Sequence, residues 1–392
     1  MNDIAGEPGP ELRVALFTGN YNYIKDGVAL TLNRLVAFLL ARGVPVLVFA
    51  PTAEKPAFES VGELVSVPSF AIPTRSEYRI AVGFPKAARE RLKAFRPTLF
   101  HIAVPDVTGY KALKIAGEWQ VPVVASFHTR YDTYLKFYGL GLLERLGQRY
   151  MRWFYNKCLR VYPPSESMAE IIRAEGLSQH VEVWARGVDS SLFNPAKRDM
   201  GWRRSLGIAA DDVVINFTGR LVKEKNTDLA VRVLNRLKQR GVRFRALFAG
   251  DGPELASMRT ALPDGLFPGF LHGEALATAY ASSDIFFFPS ESETFGNVTL
   301  EAMASGLPAV NAISTGSNSL VIPGETGYLE AAADEEALTN RLAALVTDQA
   351  LRKTMGDNAR ARALTFSWDS ILSGLLASYR QVLAEAAHGR AG

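Results

Sequence analysis

Short, largely apolar runs separated by amphipathic stretches constrain this chain more than any other feature. Arg13-Val-Ala-Leu-Phe17, Val46-Leu-Val-Phe49, Leu99-Phe-His-Ile-Ala103 and Val121-Pro-Val-Val-Ala-Ser126 read as strands that are apolar along most of their length. A strand with one wet face alternates apolar and polar residues, whereas a strand covered on both faces does not. Parallel sheets layered between helices cover both faces. Residues 28–41, closed by Gly43, supply the first covering helix.

The pattern restarts after a polar, proline-bearing stretch from Asp189 to Arg204. Val213-Val-Ile-Asn-Phe217, Arg245-Ala-Leu-Phe-Ala249, Ile285-Phe-Phe-Phe288 and Ala309-Val310 read as strands, with helices over 228–240 and 255–262. At 392 residues the chain is too long for one ordinary core. No short repeat points to a solenoid. The expected fold is α/β, with two Rossmann-like doubly wound domains facing a central cleft. They span residues 1–195 and 196–365, followed by a C-terminal helix within 366–392 that runs from about Trp368 to Ala386. Ligands of such sheets bind beyond the carboxyl ends of strands, so the cleft is the expected site.

Composition narrows the function class. A net charge of +4 is far from a nucleic-acid binder's signature, yet it is compatible with an anionic substrate or membrane surface. The single cysteine, Cys158, excludes an intrachain disulfide and a multi-cysteine zinc site. Met1 to Glu11 is polar and acidic, unlike a signal peptide, and Leu35-Val-Ala-Phe-Leu-Leu-Ala41 is too short to span a bilayer. The expected location is the cytoplasm, with peripheral contact at the inner face of the cell membrane compatible with it.

The chemistry gathers at corners where strands end. In Gly219-Arg220-Leu-Val-Lys-Glu-Lys225-Asn226, Asn226 or Thr227 caps the next helix. Two cations beside free backbone amides suit a phosphate or diphosphate, although ordinary loop cations have the same pattern. Gly250-Asp251-Gly252-Pro253 permits close approach to a flat ligand, with Pro253 in the first helical turn; a plain tight turn fits equally. Phe270-Leu271-His272-Gly273 offers backbone groups that can read the edge of a base. Ser290-Glu-Ser-Glu293-Thr-Phe-Gly-Asn-Val-Thr-Leu-Glu301 puts one carboxylate in a loop and another on the next helix. That pair can grip a polyhydroxylated ligand, or be two solvated glutamates. In the first half, His128 emerges from a buried strand, to bond a reacting hydroxyl or to pack. Gly27 lets the loop before it lie close to a ligand. No HExxH, CxxC, Gly-x-Ser-x-Gly, P-loop or Asp-x-Asp motif occurs, so no metal or other cofactor is expected. Leaving-group charge then falls to Arg220, Lys225 and helix dipoles.

Together and in this order, these corners resemble the retaining, metal-independent glycosyltransferases of family four, which have the GT-B fold. The resemblance covers nearly the whole chain. Gly219 to Asn226 is its strongest part, followed by Gly250 to Pro253 and by Ala279-Tyr-Ala-Ser-Ser-Asp284 leading into Pro289 to Gly306. Arg186-Gly-Val-Asp189 through Pro195 resembles the family's interdomain stretch. The resemblance implies an acceptor-binding first domain and a second domain that binds a nucleoside-diphosphate sugar. Arg220 and Lys225 would hold the donor diphosphate, Glu293 the transferred sugar and Glu301 the ribose. Gly219, Gly250, Asp251, Gly252, Leu271 and His272 would line the donor side. Amides near Phe295, Gly296 and Asn297 would approach sugar and phosphate. His128 matches the histidine beside the reaction centre and Gly27 the N-terminal loop. Trp368 resembles the start of a helix that crosses back to the first domain. Two departures stand out: Thr315-Gly-Ser-Asn-Ser-Leu320 has one glycine and no acid where the family often has Gly-Gly and an acid, and Lys25-Asp-Gly27 replaces two adjacent glycines.

Arg145, Arg149 and Arg152 fall on one helical face, with Leu142, Leu146, Tyr150 and Trp153 as a second stripe. That suits either an anionic membrane or a core-packed helix with a solvated basic face. The segments around His128-Thr-Arg-Tyr131 and Phe137-Tyr-Gly, and Val183 to Asp189, are similar to members that glycosylate lipids, such as sulfoquinovosyl-diacylglycerol and mannosyl- or glucuronosyl-glycolipid synthases. A lipid acceptor is therefore expected. A soluble sugar or polysaccharide acceptor is the alternative within enzymes, and a non-catalytic sugar-nucleotide-binding regulator the alternative outside them.

Overall fold

The computed structural model describes residues 11–72, 75–128 and 141–388. It divides into two compact units, Met1–Trp184 together with Asp369–Gly392, and Ala185–Trp368.

In the first unit, β1 (Val14–Phe17) leads through α1 (Gly27–Ala41) to β2 (Val46–Ala50) and β3 (Glu63–Ser66). A hairpin follows, β4 (Ser69–Ile72) and β5 (Arg75–Ala81), then α2 (Lys86–Phe95), β6 (Leu99–Ile102), α3 (Val107–Trp119) and β7 (Val123–Ser126). The series ends with α4 (Gly141–Tyr155), β8 (Arg160–Tyr162) and α5 (Glu166–Ala174). The six-stranded sheet is parallel throughout, in the order β3-β2-β1-β6-β7-β8. Every residue of β1, β2, β6 and β7 is buried, as their unbroken apolar runs require.

The second unit begins its sheet after α6 (Met200–Ser205) with β9 (Val214–Thr218), α7 (Thr227–Gln239), β10 (Arg245–Ala249) and α8 (Leu255–Ala261). It continues with β11 (Leu266–Gly269), α9 (Gly273–Ala281), β12 (Ile285–Phe288), α10 (Asn297–Ala304) and β13 (Ala309–Ala312). The last elements are α11 (Thr315–Leu320), β14 (Gly327–Glu330), α12 (Glu335–Thr347), α13 (Gln349–Leu364) and α14 (Trp368–His388). Its six-stranded parallel sheet has the order β11-β10-β9-β12-β13-β14. Each sheet reverses its build direction beside its first strand, the switch point at which such sheets bind ligands.

The chain changes unit between Trp184 and Ala185, upstream of the expected 195. The reason lies in packing: Val188 and Phe193 join the second core, and the Val188 amide bonds the Phe366 carbonyl at 2.9 Å. Helix α14 starts on the last residue of the second unit and otherwise belongs to the first. The edge strands β3 and β11 escape the apolar-run criterion because they are only partly buried and mixed in composition.

Candidate active site

Strands β10, β9 and β12 are neighbours, so the loops after them meet at one edge of the second sheet. Glycines set how closely they meet. The Gly219 amide bonds the Ala249 carbonyl at 3.0 Å, and that of Gly250 bonds Gly269 at 2.9 Å. A Cβ on Gly250 would collide with the Gly219 carbonyl, and one on Gly252 with the Leu221 carbonyl. These two glycines thus admit a neighbouring loop. Asp251 holds the corner, its carbonyl accepting from Leu221 at 2.9 Å and its carboxylate from Gly252 at 2.8 Å. Pro253 lies in the turn ahead of α8, whose N-cap is Glu254, and not in the first helical turn.

Lys225 ends a 3-10 turn over Lys223–Lys225, and Asn226 follows with φ +52°. The Asn226 side chain does not cap α7. It donates to the Pro289 carbonyl at 2.9 Å and to Glu291 at 3.1 Å, tying the β9 loop to the β12 loop. This tie brings Lys225 to Glu293, with Nζ donating to Oε1 at 2.6 Å. The two side chains are 14% and 17% exposed. Ser290 donates to the same Glu293 oxygen at 3.1 Å, Ser292 accepts from Lys225 at 3.3 Å, and the Glu224 carboxylate stands 3.7 Å from Nζ. So well shielded a charged hydrogen bond contributes about 1.5–3 kcal/mol, more than a surface ion pair. Arg220 stays at the rim, 59% exposed and 3.9 Å from Glu224.

The loop carrying Glu293 is fixed from behind. The Gly316 amide and the Thr315 hydroxyl both donate to the Glu293 carbonyl, each at 2.8 Å. Ser314 and Ser317 form a capping box that holds this start of α11. A Cβ on Gly316 would stand 2.5 Å from the Phe295 carbonyl carbon and oxygen. The single glycine of this loop therefore has a definite task. Phe295 is buried, edge-on to Phe366 with ring centroids 6.1 Å apart. Gly296 takes φ +92° to turn the chain into α10, and Asn297 opens that helix exposed to solvent.

Glu301 lies one helical turn further on. Tyr280, fully buried, donates to its Oε2 at 3.3 Å. Burial pushes the carboxyl up to about 7, partly offset by the tyrosine bond. At the β11 corner, Leu271 turns its side chain into a small apolar cluster, while exposed His272 stacks on the exposed Phe270 ring at 6.0 Å.

In the first unit, His128 follows β7, buried and edge-on to Trp184 at 5.8 Å between ring centroids. Gly27 is the first residue of α1, whose N-cap Asp26 accepts from Ala29 at 2.7 Å. Asn20 reaches Asp26 at 2.9 Å and the Ile24 carbonyl at 3.0 Å, so side chains shape this loop where adjacent glycines were missing. Residues 129–140, which include Tyr131 and Phe137-Tyr-Gly, lie outside the described residues.

The sequence brought Lys225, Glu293 and the glycine corners to one edge, and the structure joins them there. It adds Ser290, Ser292, Glu224, Tyr280, Thr315 and Gly316, none of which had a role. All six stood within segments already singled out, but only their packed neighbours show what each one does.

Residues 200–362 match the family model described as glycosyl transferases group 1, and residues 25–192 that of glycosyltransferase family 4. The GDP-mannose-dependent alpha-mannosyltransferase of Mycolicibacterium smegmatis is 33% identical, covering 95% of this chain and 98% of its own. The sulfoquinovosyl transferase SQD2 of Arabidopsis thaliana is 30% identical over 91% of this chain and 71% of its own. An alpha-monoglucosyldiacylglycerol synthase of Streptococcus pneumoniae is 26% identical over 76% and 70%. The solved sucrose-phosphate synthase of Thermosynechococcus elongatus shares the fold with a TM-score of 0.77 at 20% identity, covering 95% of this chain and all 100% of that one.

Proposed function

The chain belongs to the family-four glycosyltransferases of the GT-B fold, and from that premise we propose a retaining transfer of a hexose-type sugar from a nucleoside-diphosphate sugar to a hydroxyl of a membrane lipid. The observation that carries this reading is the shielded Lys225–Glu293 pair at the carboxyl edge of the second sheet. An ammonium has three donors, so Lys225 can keep Glu293 and still reach a phosphate oxygen. Glu293 has a second oxygen for sugar hydroxyls.

In a retaining transfer the acceptor hydroxyl attacks from the face that the nucleotide leaves. Its oxygen bonds the anomeric carbon, the bond to the diphosphate breaks, and the departing phosphate oxygen takes the proton. Negative charge grows on the diphosphate. In this reading Lys225, Arg220 and the amides opening α10 meet it, and preorganised donors to developing charge are the form of assistance that lowers a barrier most. No metal is needed in this scheme.

Glu301, in its proposed ribose-binding role, makes donor binding depend on pH. Its acid form is favoured below about 7 in the donor-free protein, whereas two ribose hydroxyls need a carboxylate acceptor. Lowering the pH below that value is therefore expected to raise the donor KM, toward roughly tenfold per unit. Glu301→Gln should bind donor weakly at every pH and lose this slope. A donor KM in the parent enzyme that stays flat between pH 5.5 and 8 would contradict the role.

The lipid acceptor is supported by the similarity to the monoglucosyldiacylglycerol synthase of Streptococcus pneumoniae and by the surface of α4. Arg145, Arg149 and Arg152 are exposed there, beside Leu146 at 60% and Trp153 at 41% exposure. The core face of this helix is instead Met151, Phe154 and Tyr155. Leu142 lies outside the side chains described. No helix among the described residues is long and apolar enough to cross a membrane, so contact would be peripheral. Each cation near an anionic surface contributes about 1 kcal/mol, so the double variant Arg145→Glu/Arg149→Glu is expected to lower the partition constant onto phosphatidylglycerol vesicles, read by sedimentation, by at least about thirtyfold. Unchanged sedimentation would remove this face from the proposal.

The direct test is product analysis with diacylglycerol-based lipids and free sugars as competing acceptors. A thermal-shift screen of guanosine, uridine and adenosine diphosphate sugars would come first. The mannosyltransferase relative makes GDP-mannose its leading arm. Product on the free sugar alone would shift the reading to soluble or polysaccharide acceptors, and no nucleotide release with any acceptor would favour a binding regulator.

A further inference from the structure

Strands β6 and β7 present unlike faces. Phe100, Ile102, Val123, Ala125 and Phe127 enter the apolar core of the first unit. The alternate positions carry His101, Ser126 and, two residues on, His128, all buried. His101 is held at both ring nitrogens: Nε2 lies 2.5 Å from the Ser126 hydroxyl, and Nδ1 lies 2.5 Å from the hydroxyl of Tyr379 on α14. Trp184 then stands edge-on to both histidines, its ring centroid 5.8 Å from that of His101 and 5.8 Å from that of His128. Packing leaves these rings little freedom, because Trp184 and Tyr379 are also fully buried.

Apolar side chains of the same volume would fill such a seam at lower desolvation cost. What a hydrogen-bonded imidazole adds is a fixed ring orientation, since hydroxyls on each side satisfy one donor and one acceptor nitrogen. We propose that Tyr379 is a positioning residue: through His101 and Trp184 it sets the ring of His128 at the end of β7, so that α14 fixes that ring within the first unit. This rests on the reaction-centre role given to His128 above. The catalytic demand is geometric, because a displacement of about 1 Å in a reacting group can cost up to a hundredfold in rate.

The test compares Tyr379→Phe, which keeps the ring and removes the hydroxyl, with Glu385→Ala. Glu385 is on the same helix, exposed, and pairs with Arg160 at 2.9 Å rather than with either histidine. Histidine side chains are labelled for NMR, and the His128 ring signals are assigned by their loss in His128→Gln. Tyr379→Phe is expected to move the His128 signals and to lower kcat by about tenfold or more with donor KM held within about twofold. Glu385→Ala should leave the signals and kcat unchanged. If Tyr379→Phe fails to fold, Ser126→Ala, which frees the other nitrogen of His101, serves with the same expectations. His128 signals that do not move in the folded variant overturn the proposal, as does an equal movement in Glu385→Ala. Signals that move while His128→Gln keeps wild-type turnover uphold the link from α14 and overturn the catalytic role of His128 instead.

Discussion

Lys225→Ala is expected to lower kcat by about a hundred- to a thousandfold, the usual effect of deleting one preorganised donor to developing negative charge. The fold should survive. Lys225 lies in a loop beyond β9, and the core of the second unit does not include it. The variant leaves Glu293 with the Ser290 hydroxyl at 3.1 Å and without its cation. Glu293→Ala should be similarly damaging by a different route, losing the hold on the sugar and freeing Lys225. If the two side chains act as one unit, the double variant should be little worse than either single one, because effects within a unit are not additive. Steady-state kinetics on the two single variants and the double one would check this. Near-wild-type turnover in either single variant would remove the pair from the reaction.

Gly316→Ala should come close to the same loss without altering any side chain proposed to meet the donor. The added methyl would press on the Phe295 backbone at 2.5 Å, and a main chain cannot rotate aside as a flexible side chain can. The loop from Glu293 to Gly296 must then shift, and with it the bonds from Gly316 and Thr315 to the Glu293 carbonyl. We expect kcat/KM to fall by about a hundredfold for a displacement of about 1 Å. Thr315→Val, which removes only the hydroxyl bond, should cost far less. A Gly316→Ala enzyme with parental kcat/KM would show that this support is dispensable.

Gly316 also marks a limit of what the sequence discloses. Its loop read as a departure from the family pattern, one glycine where two are common, and nothing in the chain's local chemistry says that it touches Phe295. That contact joins the starts of two helices, α10 and α11, which only the packed sheet brings together. Lys225 and Glu293 were legible for the opposite reason. Each follows a fully buried, largely apolar strand, and strands buried on both faces announce where their carboxyl ends lie. Asn226 misled because a residue before a helix usually caps it, whereas this one spends its amide on the neighbouring loop. Strands β8, β11 and β14 were invisible: edge strands in these sheets are short, and their burial is incomplete enough to need no apolar run. The polar seam around His101 lay in plain view as a histidine within an apolar strand, but its partner Tyr379 is 278 residues away.

That separation bears on how the molecule is made. The second unit is one continuous stretch, Ala185–Trp368, and can complete its core as soon as it has left the ribosome. The first unit cannot, although its sheet is synthesised earlier. Its closing helix emerges only after the whole second unit, and until then the bonds of His101 to Tyr379 and of Arg160 to Glu385 cannot form. A nonsense codon soon after Trp368 would therefore spare the unit that precedes it and cripple the one that was translated first.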